Sequence, residues 1–504
     1  MKAHRLDFSK TNMFSKKFNE FIESHSNESY FPTYKNIGNV FKKIHFSSDS
    51  RKNLFDVLKS QYDGIDLSKK VKENLLNIKD ENTYTVTTGH QLNIFSGPLY
   101  IIYKIISTIK LSENLNQRYA DKKFIPVYWM ASEDHDFDEI KSFFSKGKTY
   151  EWSIKPSGAV GEINPSSIKK LSDMVPESIG IFEDAYSTSK TLSEAVRKYM
   201  DALFSDFGLI VFDPSSKRLK GKIASLIKDD ILDNTISTLE DKSEEKPEVF
   251  IRKINFFYMR KGLRERIESV KDNYIVNGTD ISFTKEEMER EISKYPERFS
   301  PNVIMRCLYQ QLIMPNVVYV GGPAEVIYWL SFRKFFEKYS IEFPVIVPRD
   351  SVLILSKKSV KTLEKYGLGF EDIFLGKSHL EKKALGVIDE SDKNFSLEIS
   401  EIKTQLNTIA SKYKSFDNSM PPHVMAHSKK IEKVLSQIER RFIKSQKEHN
   451  KILVEKIGEL FYGCFPEGIP QERKDNLLSY YTSSIIGELY KILDPMDLKF
   501  KVVK

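Results

Sequence analysis

Cysteine is almost missing: 504 residues carry two, Cys307 and Cys464, and neither stands in a Cys-x-x-Cys pair. That excludes a disulfide framework and points to a reducing compartment. Uninterrupted apolar sequence is missing too. No stretch of about 18 uncharged apolar residues could span a bilayer. The opening MKAHRLDFSKTNMF has no apolar core of secretory length, so a cytoplasmic location without membrane attachment is expected. The strand-to-helix turn VVYVGGPAEVIYWL lacks both the Gly-x-Gly-x-x-Gly spacing of a dinucleotide fingerprint and the Gly-Lys-Ser/Thr of a P-loop, so neither reading applies there. Internal repeats and low-complexity tracts are absent. Concentrated charge is lacking as well: the net charge of +8 is spread along the chain, which argues against a nucleic-acid partner and suits acidic small substrates.

What is present is a globular composition, 40% hydrophobic and 29% charged, with length for about three domains at roughly 150 residues each. Short β-branched or aromatic runs recur between helical stretches, at Tyr84–Thr87, Ile125–Met130, Leu209–Phe212, Val317–Val320 and Phe343–Val347. Several are continuously apolar, as strands covered on both faces must be, so an α/β fold is expected: a Rossmann-like, doubly wound parallel sheet. The intervals at about 145–200 and 215–300 exceed an ordinary crossover and read as insertions in a core spanning 1–389. In 390–455, Phe395, Ile399, Ile402, Leu406, Ile409 and Tyr413 follow a 4,3,4,3,4 spacing, and Ile431, Leu435, Ile438 and Phe442 resume it after the breaker SFDNSMPPH. This spacing predicts an antiparallel coiled-coil hairpin with a Pro-Pro loop, followed by a C-terminal segment, 456–504, packing back on the core.

Ligands of such sheets bind beyond the carboxyl ends of the strands, and four constellations sit there. TTGHQLNIFSGPL offers Thr88, Gly89, His90, Gln91, Ser96 and Gly97 ahead of an apolar helix, where bare N–H groups and the helix dipole favour a phosphate or carboxylate and His90 is a candidate acid or base. SEDHDFDEI brings Glu133, Asp134, His135, Asp136 and Asp138 directly after a strand. Three uses compete for it: base for an amine, anchor for an ammonium group, or metal site, the last disfavoured because no second His stands at ligand spacing. VVYVGGPAEVIYWL presents Gly321, Gly322 and Glu325 at a second strand-to-helix turn, with Arg306 upstream to bind an acidic group. Weaker signals are Arg349 and Asp350 in VIVPRDS and Gln471, Glu472 and Arg473 in FPEGIPQER. The two cysteines read as small buried hydrophobes.

Taken in order, TTGHQ…SGPLYIIYK, the strand into SEDHDFDEI, FSPNVIMRCLYQ…MPNVVYVGGPAEVIYWL and FPEGIPQER resemble the bacillithiol-biosynthesis cysteine-adding enzymes, the BshC family, over nearly the whole chain. The resemblance implies a Rossmann-like core with inserted segments, a coiled-coil arm that makes a homodimer, and ligation of L-cysteine to the amine of glucosaminyl-malate to form bacillithiol. It implies His90 and Gln91 at the activated acyl group or a nucleotide phosphate, His135 with Asp134 or Asp136 as base or ammonium anchor, and Gly321-Gly322 as a backbone cradle. The family is similar in fold to nucleotidylyl transferases and class I synthetases, which leaves a nucleotidyl transferase or tRNA-directed ligase as the alternative and ATP or another adenine nucleotide as the expected cofactor, with no metal. Thr87 stands where the first histidine of that superfamily's phosphate motif would be, and LSKKS at 355–359 is a superficial match to its lysine loop.

Overall fold

A computed structural model describes residues 2–24, 30–175, 179–241, 248–386, 396–414 and 416–504. The chain divides into two compact units, one of Met1–Phe8, Phe14–Val352 and Glu472–Lys501, the other of Ser9–Met13, Leu353–Gln471 and Val502–Lys504.

The first unit is built on five strands, β1 (Thr83–His90), β2 (Lys123–Met130), β3 (Ile210–Phe212), β4 (Asn316–Gly321) and β5 (Val345–Pro348), each matching one of the apolar runs. They form one sheet in the order β5-β4-β1-β2-β3, every pair parallel, with Thr87 opposite Val127, Val318 opposite Val86 and Gly321 opposite Pro348. The strands are buried almost throughout, which explains the missing alternation: with both faces covered, successive residues along a strand are enclosed alike. One such face packs Val86, Phe124, Val318, Val345 and Val347 with Phe41, Leu111 and Leu115.

Helix α1 (Leu99–Arg118) crosses from β1 to β2 and packs on both. Thirteen of its side chains are buried, Lys104 among them, which is why no amphipathic stripe appears in LYIIYKIISTIKL. α2 (Val303–Ile313) leads into β4, and α3 (Pro323–Ser331) leaves it. The interval 215–300 holds a second sheet that the lysine- and glutamate-rich sequence did not announce. Its strands run antiparallel in the order Ser282–Thr284, Asn273–Val276, Leu263–Val270, Phe256–Arg260, Phe299–Pro301. Tight turns at Gly262 (φ 72°) and Lys271 (φ 52°) join its central strands.

The second unit contains α4 (Ser396–Tyr413) and α5 (Met420–His449), packed on each other as the heptad spacing predicts, with Lys403 and Glu432 paired at 3.4 Å. Phe395 lies outside the described residues. The two prolines sit in the first turn of α5 rather than in a loop, because a proline there lacks only an N–H that the helix leaves unbonded anyway. Among the described residues no helix is long and apolar enough to cross a membrane.

The turn from β1 to α1 differs from its sequence reading. Phe95, Ser96 and Gly97 all take positive φ (50°, 67° and 62°), and the segment is buried. Its backbone is claimed internally: Asn476 donates to the Phe95 and Gly97 carbonyls at 2.7 Å each, and the Leu99 N–H donates to Asp475 O at 2.8 Å. Asn476→Ala strands two buried carbonyls and is expected to lower unfolding stability by about 2–3 kcal/mol, read by chemical denaturation.

Candidate active site

The chain runs outward from β1 to β3, then returns to lay β4 on the other side of β1. Neighbouring crossovers therefore diverge between β1 and β4, the position at which doubly wound sheets open a crevice past their carboxyl ends. A cavity of about 950 Å³ lies there. His90 and Gln91 enter it from β1, residues 131–139 from the segment after β2, Gly322 and Glu325 from the start of α3, and Arg349 from the segment after β5. Arg306 of α2, Arg264 of the inserted sheet and Arg473 complete it.

Beneath it, α1 sends the buried Lys104 ammonium to the Gly89 carbonyl and the Glu325 carboxylate, 2.5 Å from each. Glu325 also accepts the Gly322 N–H and the Tyr319 hydroxyl, each at 2.7 Å. Burial acts to raise its pKa, but Lys104 and these two donors outweigh that and hold it at about 2. A side chain on Gly321 would put its Cβ 3.1 Å from that of Glu325, a close contact that glycine avoids. The Gly322 N–H is thus taken by Glu325 rather than offered to a ligand. Gly322 lines the cavity and Gly321 does not.

His90 is half-buried, with Nε2 2.9 Å from the Tyr100 hydroxyl and Nδ1 3.4 Å from the Gln91 carbonyl. A carbonyl only accepts, so the neutral ring carries its proton on Nδ1 and Nε2 accepts from Tyr100. Burial, followed by the nearby Lys104 charge, depresses the His90 pKa to about 4, so near neutral pH His90 is an uncharged acceptor rather than an acid. Burial likewise pushes the Tyr100 hydroxyl up to about 12.

In the acidic turn each carboxylate has a separate position. Glu133 is buried and paired with buried Lys220 at 2.7 Å, and Lys220 also donates to Phe299 O. Asp134 accepts from the His135 N–H (2.7 Å), from Arg264 (3.1 Å) and from Gln91. Burial acts to raise its pKa, but the neighbouring His135 side chain, then the Arg264 charge and the Gln91 and His135 N–H donors, outweigh that and hold it well below the usual carboxylate range. Asp136 caps the short helix Phe137–Ile140 through the Glu139 N–H at 3.3 Å and remains exposed at the rim. Glu139, beside them, is shifted upward by burial and by the charges of Asp134 and Asp136. Among the described residues no three potential metal ligands converge.

The opposite wall is cationic. Arg349 and Glu472, 123 positions apart, form a buried two-pronged pair at 2.8 and 3.1 Å, while Arg349 Nε is left without a partner. The Arg306 guanidinium contacts Gln310 (3.2 Å) and Cys307 Sγ (3.5 Å), has no carboxylate within ion-pair reach among the described residues, and passes 3.5 Å from where a side chain on Gly89 would begin.

His90, Gln91, Gly89, Asp134, His135, Asp136, Arg306, Gly322 and Glu325 therefore share one cavity. Thr88 is buried within the sheet, donating to Val320 O at 2.8 Å, and Ser96 and Gly97 are enclosed in their turn, so these three stand apart from it. Thr87 is buried against the Asn316 side-chain amide, 2.7 Å away. The paired-histidine clasp for nucleotide phosphates is thus not reproduced at Thr87. LSKKS begins a helix of the second unit, with Ser356 as its cap. Both cysteines are buried, their thiols pushed up to about 12 by burial. Sequence reasoning missed Tyr100, Lys104, Lys220 and Arg264. Tyr100 and Lys104 are embedded in an apolar helix, Lys220 ends a four-residue helix in the lysine-rich KRLKGK, and Arg264 sits in a strand that reads as surface.

The depressed His90 pKa has a sign. Between about pH 6.5 and 4 the unfolded chain binds a proton that the folded chain refuses, so stability falls as pH falls through that window and levels off below it. His90→Gln is expected to remove up to about 3 kcal/mol of this dependence, read by denaturant titrations across pH 4–7.

Residues 1–350 match the family described as "Bacillithiol biosynthesis BshC, N-terminal Rossmann-like domain", and residues 352–504 match "Bacillithiol biosynthesis BshC, C-terminal coiled-coil domain". Curated relatives named "Putative cysteine ligase BshC" include those of Flavobacterium johnsoniae (34% identical), Flavobacterium psychrophilum (33%) and Cytophaga hutchinsonii (32%). The alignments cover 99% of this chain in each case and 99%, 99% and 98% of the respective relatives. With both halves matched and relatives above 30% identity along nearly the full length, the chain belongs to the BshC family of bacillithiol biosynthesis.

Proposed function

We propose that the chain is a cysteine ligase that joins L-cysteine to the amine of glucosaminyl-malate, forming bacillithiol in a reducing cytoplasm. The observation that carries this reading is the opposition of charge across one cavity: exposed Asp136 and Glu139 on one side, Arg306 and the unpartnered Nε of Arg349 on the other. Glucosaminyl-malate carries both kinds of charge, two carboxylates on its malyl group and an ammonium group on the sugar carbon next to the glycosidic bond. Arg306, with no carboxylate within ion-pair reach among the described residues, binds a malyl carboxylate through paired N–H donors. Asp136 anchors the ammonium group, since Asp134 is already saturated by three donors. Amide formation in water also requires an activated carboxyl group on cysteine. ATP or another adenine nucleotide is the proposed source, and His90 and Gln91, which line the cavity, are the residues proposed to meet the activated acyl group.

The direct test incubates purified protein with glucosaminyl-malate, L-cysteine and each of several nucleoside triphosphates, then labels thiols and measures their masses. Bacillithiol is the expected product; a folded chain that forms none with any donor overturns the reading. Arg306→Met is expected to raise KM for glucosaminyl-malate roughly 10- to 100-fold with a smaller change in kcat, as loss of a charged hydrogen-bond pair does.

We also propose that the protein is a homodimer through its helical hairpin. Ile409, Tyr413, Val434 and Ile438 are exposed on α4 and α5, although the heptad spacing includes three of them. Ile409→Glu with Ile438→Glu is expected to give a monomer in sedimentation equilibrium, where the unmodified chain sediments as a dimer.

A further inference from the structure

The guanidinium of Arg264 bears on what His135 can do. Arg264 stands on the inserted strand Leu263–Val270 and is 6% exposed. Three contacts fix its plane: Nε donates to Ser300 Oγ at 3.1 Å, Nη1 donates to Asp134 Oδ1 at 3.1 Å, and the group lies over the Phe257 ring, 4.0 Å from its centroid. From there Nη1 also meets Nδ1 of His135. A guanidinium has donors only and keeps its charge in proteins, so the nitrogen facing it must present a lone pair. The competing arrangement, Nδ1–H donating to Asp134 Oδ1 at 3.5 Å, would drive that hydrogen against the Arg264 N–H. It also asks a further bond of an oxygen already holding Arg264 and the His135 backbone N–H.

We propose that Arg264 is a positioning residue that holds His135 as a neutral ring protonated on Nε2, so that His135 serves the reaction as a hydrogen-bond donor to a substrate oxygen and not as its base. The inference rests on the ligase reading and goes further, since it assigns the half-exposed Nε2 edge of His135 a single role. A neutral imidazole with its proton on Nε2 cannot take a second one there. The donor is aimed by protein groups on three separate segments, the acidic turn, the inserted strand and Ser300, which gives the inserted sheet a part in the chemistry. His135 lines the same cavity as Gln91, whose side chain donates to the other Asp134 oxygen, so both polar groups are held by one carboxylate.

The test has two arms. Nitrogen-15 spectra of histidine-labelled protein are expected to show His135 with a bare Nδ1 and a protonated Nε2. Arg264→Met is expected to lose that pattern, and Arg264→Lys, which retains a donor and the charge, to keep it. A protonated Nδ1 in the unmodified chain overturns the inference, as does an unchanged pattern in Arg264→Met. In turnover, His135→Ala is expected to lose about 100-fold in kcat, while His135→Gln, whose amide donates but cannot accept a proton, keeps at least a tenth of the activity. A His135→Gln enzyme as inactive as His135→Ala, with the fold intact by circular dichroism, overturns the donor role. The spectra need no turnover, so they decide the tautomer even if no thiol forms, whereas an inactive unmodified chain counts against the ligase reading alone.

Discussion

A single buried ammonium group, that of Lys104, ties together the two strand ends on which the site is built. It bonds the carbonyl of Gly89 at the end of β1 and the carboxylate of Glu325 at the start of α3, and so spans the gap where the sheet order reverses. Burying a charge is tolerable only when it is paired and hydrogen-bonded. Lys104 satisfies that condition with groups from both sides of the crevice, which fixes their separation. His90 and Gly322 inherit their positions from it, and its charge adds to burial in depressing the pKa of His90. The same carboxylate closes the N-terminus of α3, so the turn that looks like an anion cradle is capped by the protein itself.

The same economy recurs around the cavity. Lys220 with Glu133, Arg264 with Asp134 and Arg349 with Glu472 each pair a cation with an anion brought from a distant part of the chain. Few lining charges are then left for a ligand: the cations Arg306, Arg473 and Lys155, and the carboxylates Asp136 and Glu139. A nearly neutral lining thereby becomes a cavity with two poles. Pairing also assigns roles within SEDHDFDEI that spacing leaves open. Glu133 is structural, Asp134 organises its neighbours, and Asp136 is accessible.

The sheet was legible because each of its strands is an apolar run long enough to be covered on both faces, and the hairpin because a 4,3 spacing survives in polar surroundings. Strand order was not legible, since nothing local in VVYVGG says that it returns beside TVTTGH. The inserted sheet stayed hidden for a different reason. In LRERIESV only Arg264 and Ile267 are buried, so its pattern is that of a solvated segment. Arg264 looks like a surface residue and becomes a site residue only through contacts with Asp134 and Ser300, 130 and 36 positions away. Conversely, Ser96 and Gly97 carried the local signature of a ligand loop, and the distant Asn476 claims their backbone. Local chemistry placed the candidate residues at strand ends, whereas long-range pairing decided which of them face the cavity.

The central claim is that residues from three separate strand ends grip one substrate. Hydrogen–deuterium exchange with glucosaminyl-malate added to the unmodified protein tests it most directly. Simultaneous protection of 89–91, 131–139 and 322–325 is expected; protection confined to one of these segments, or found only elsewhere in the chain, would contradict it.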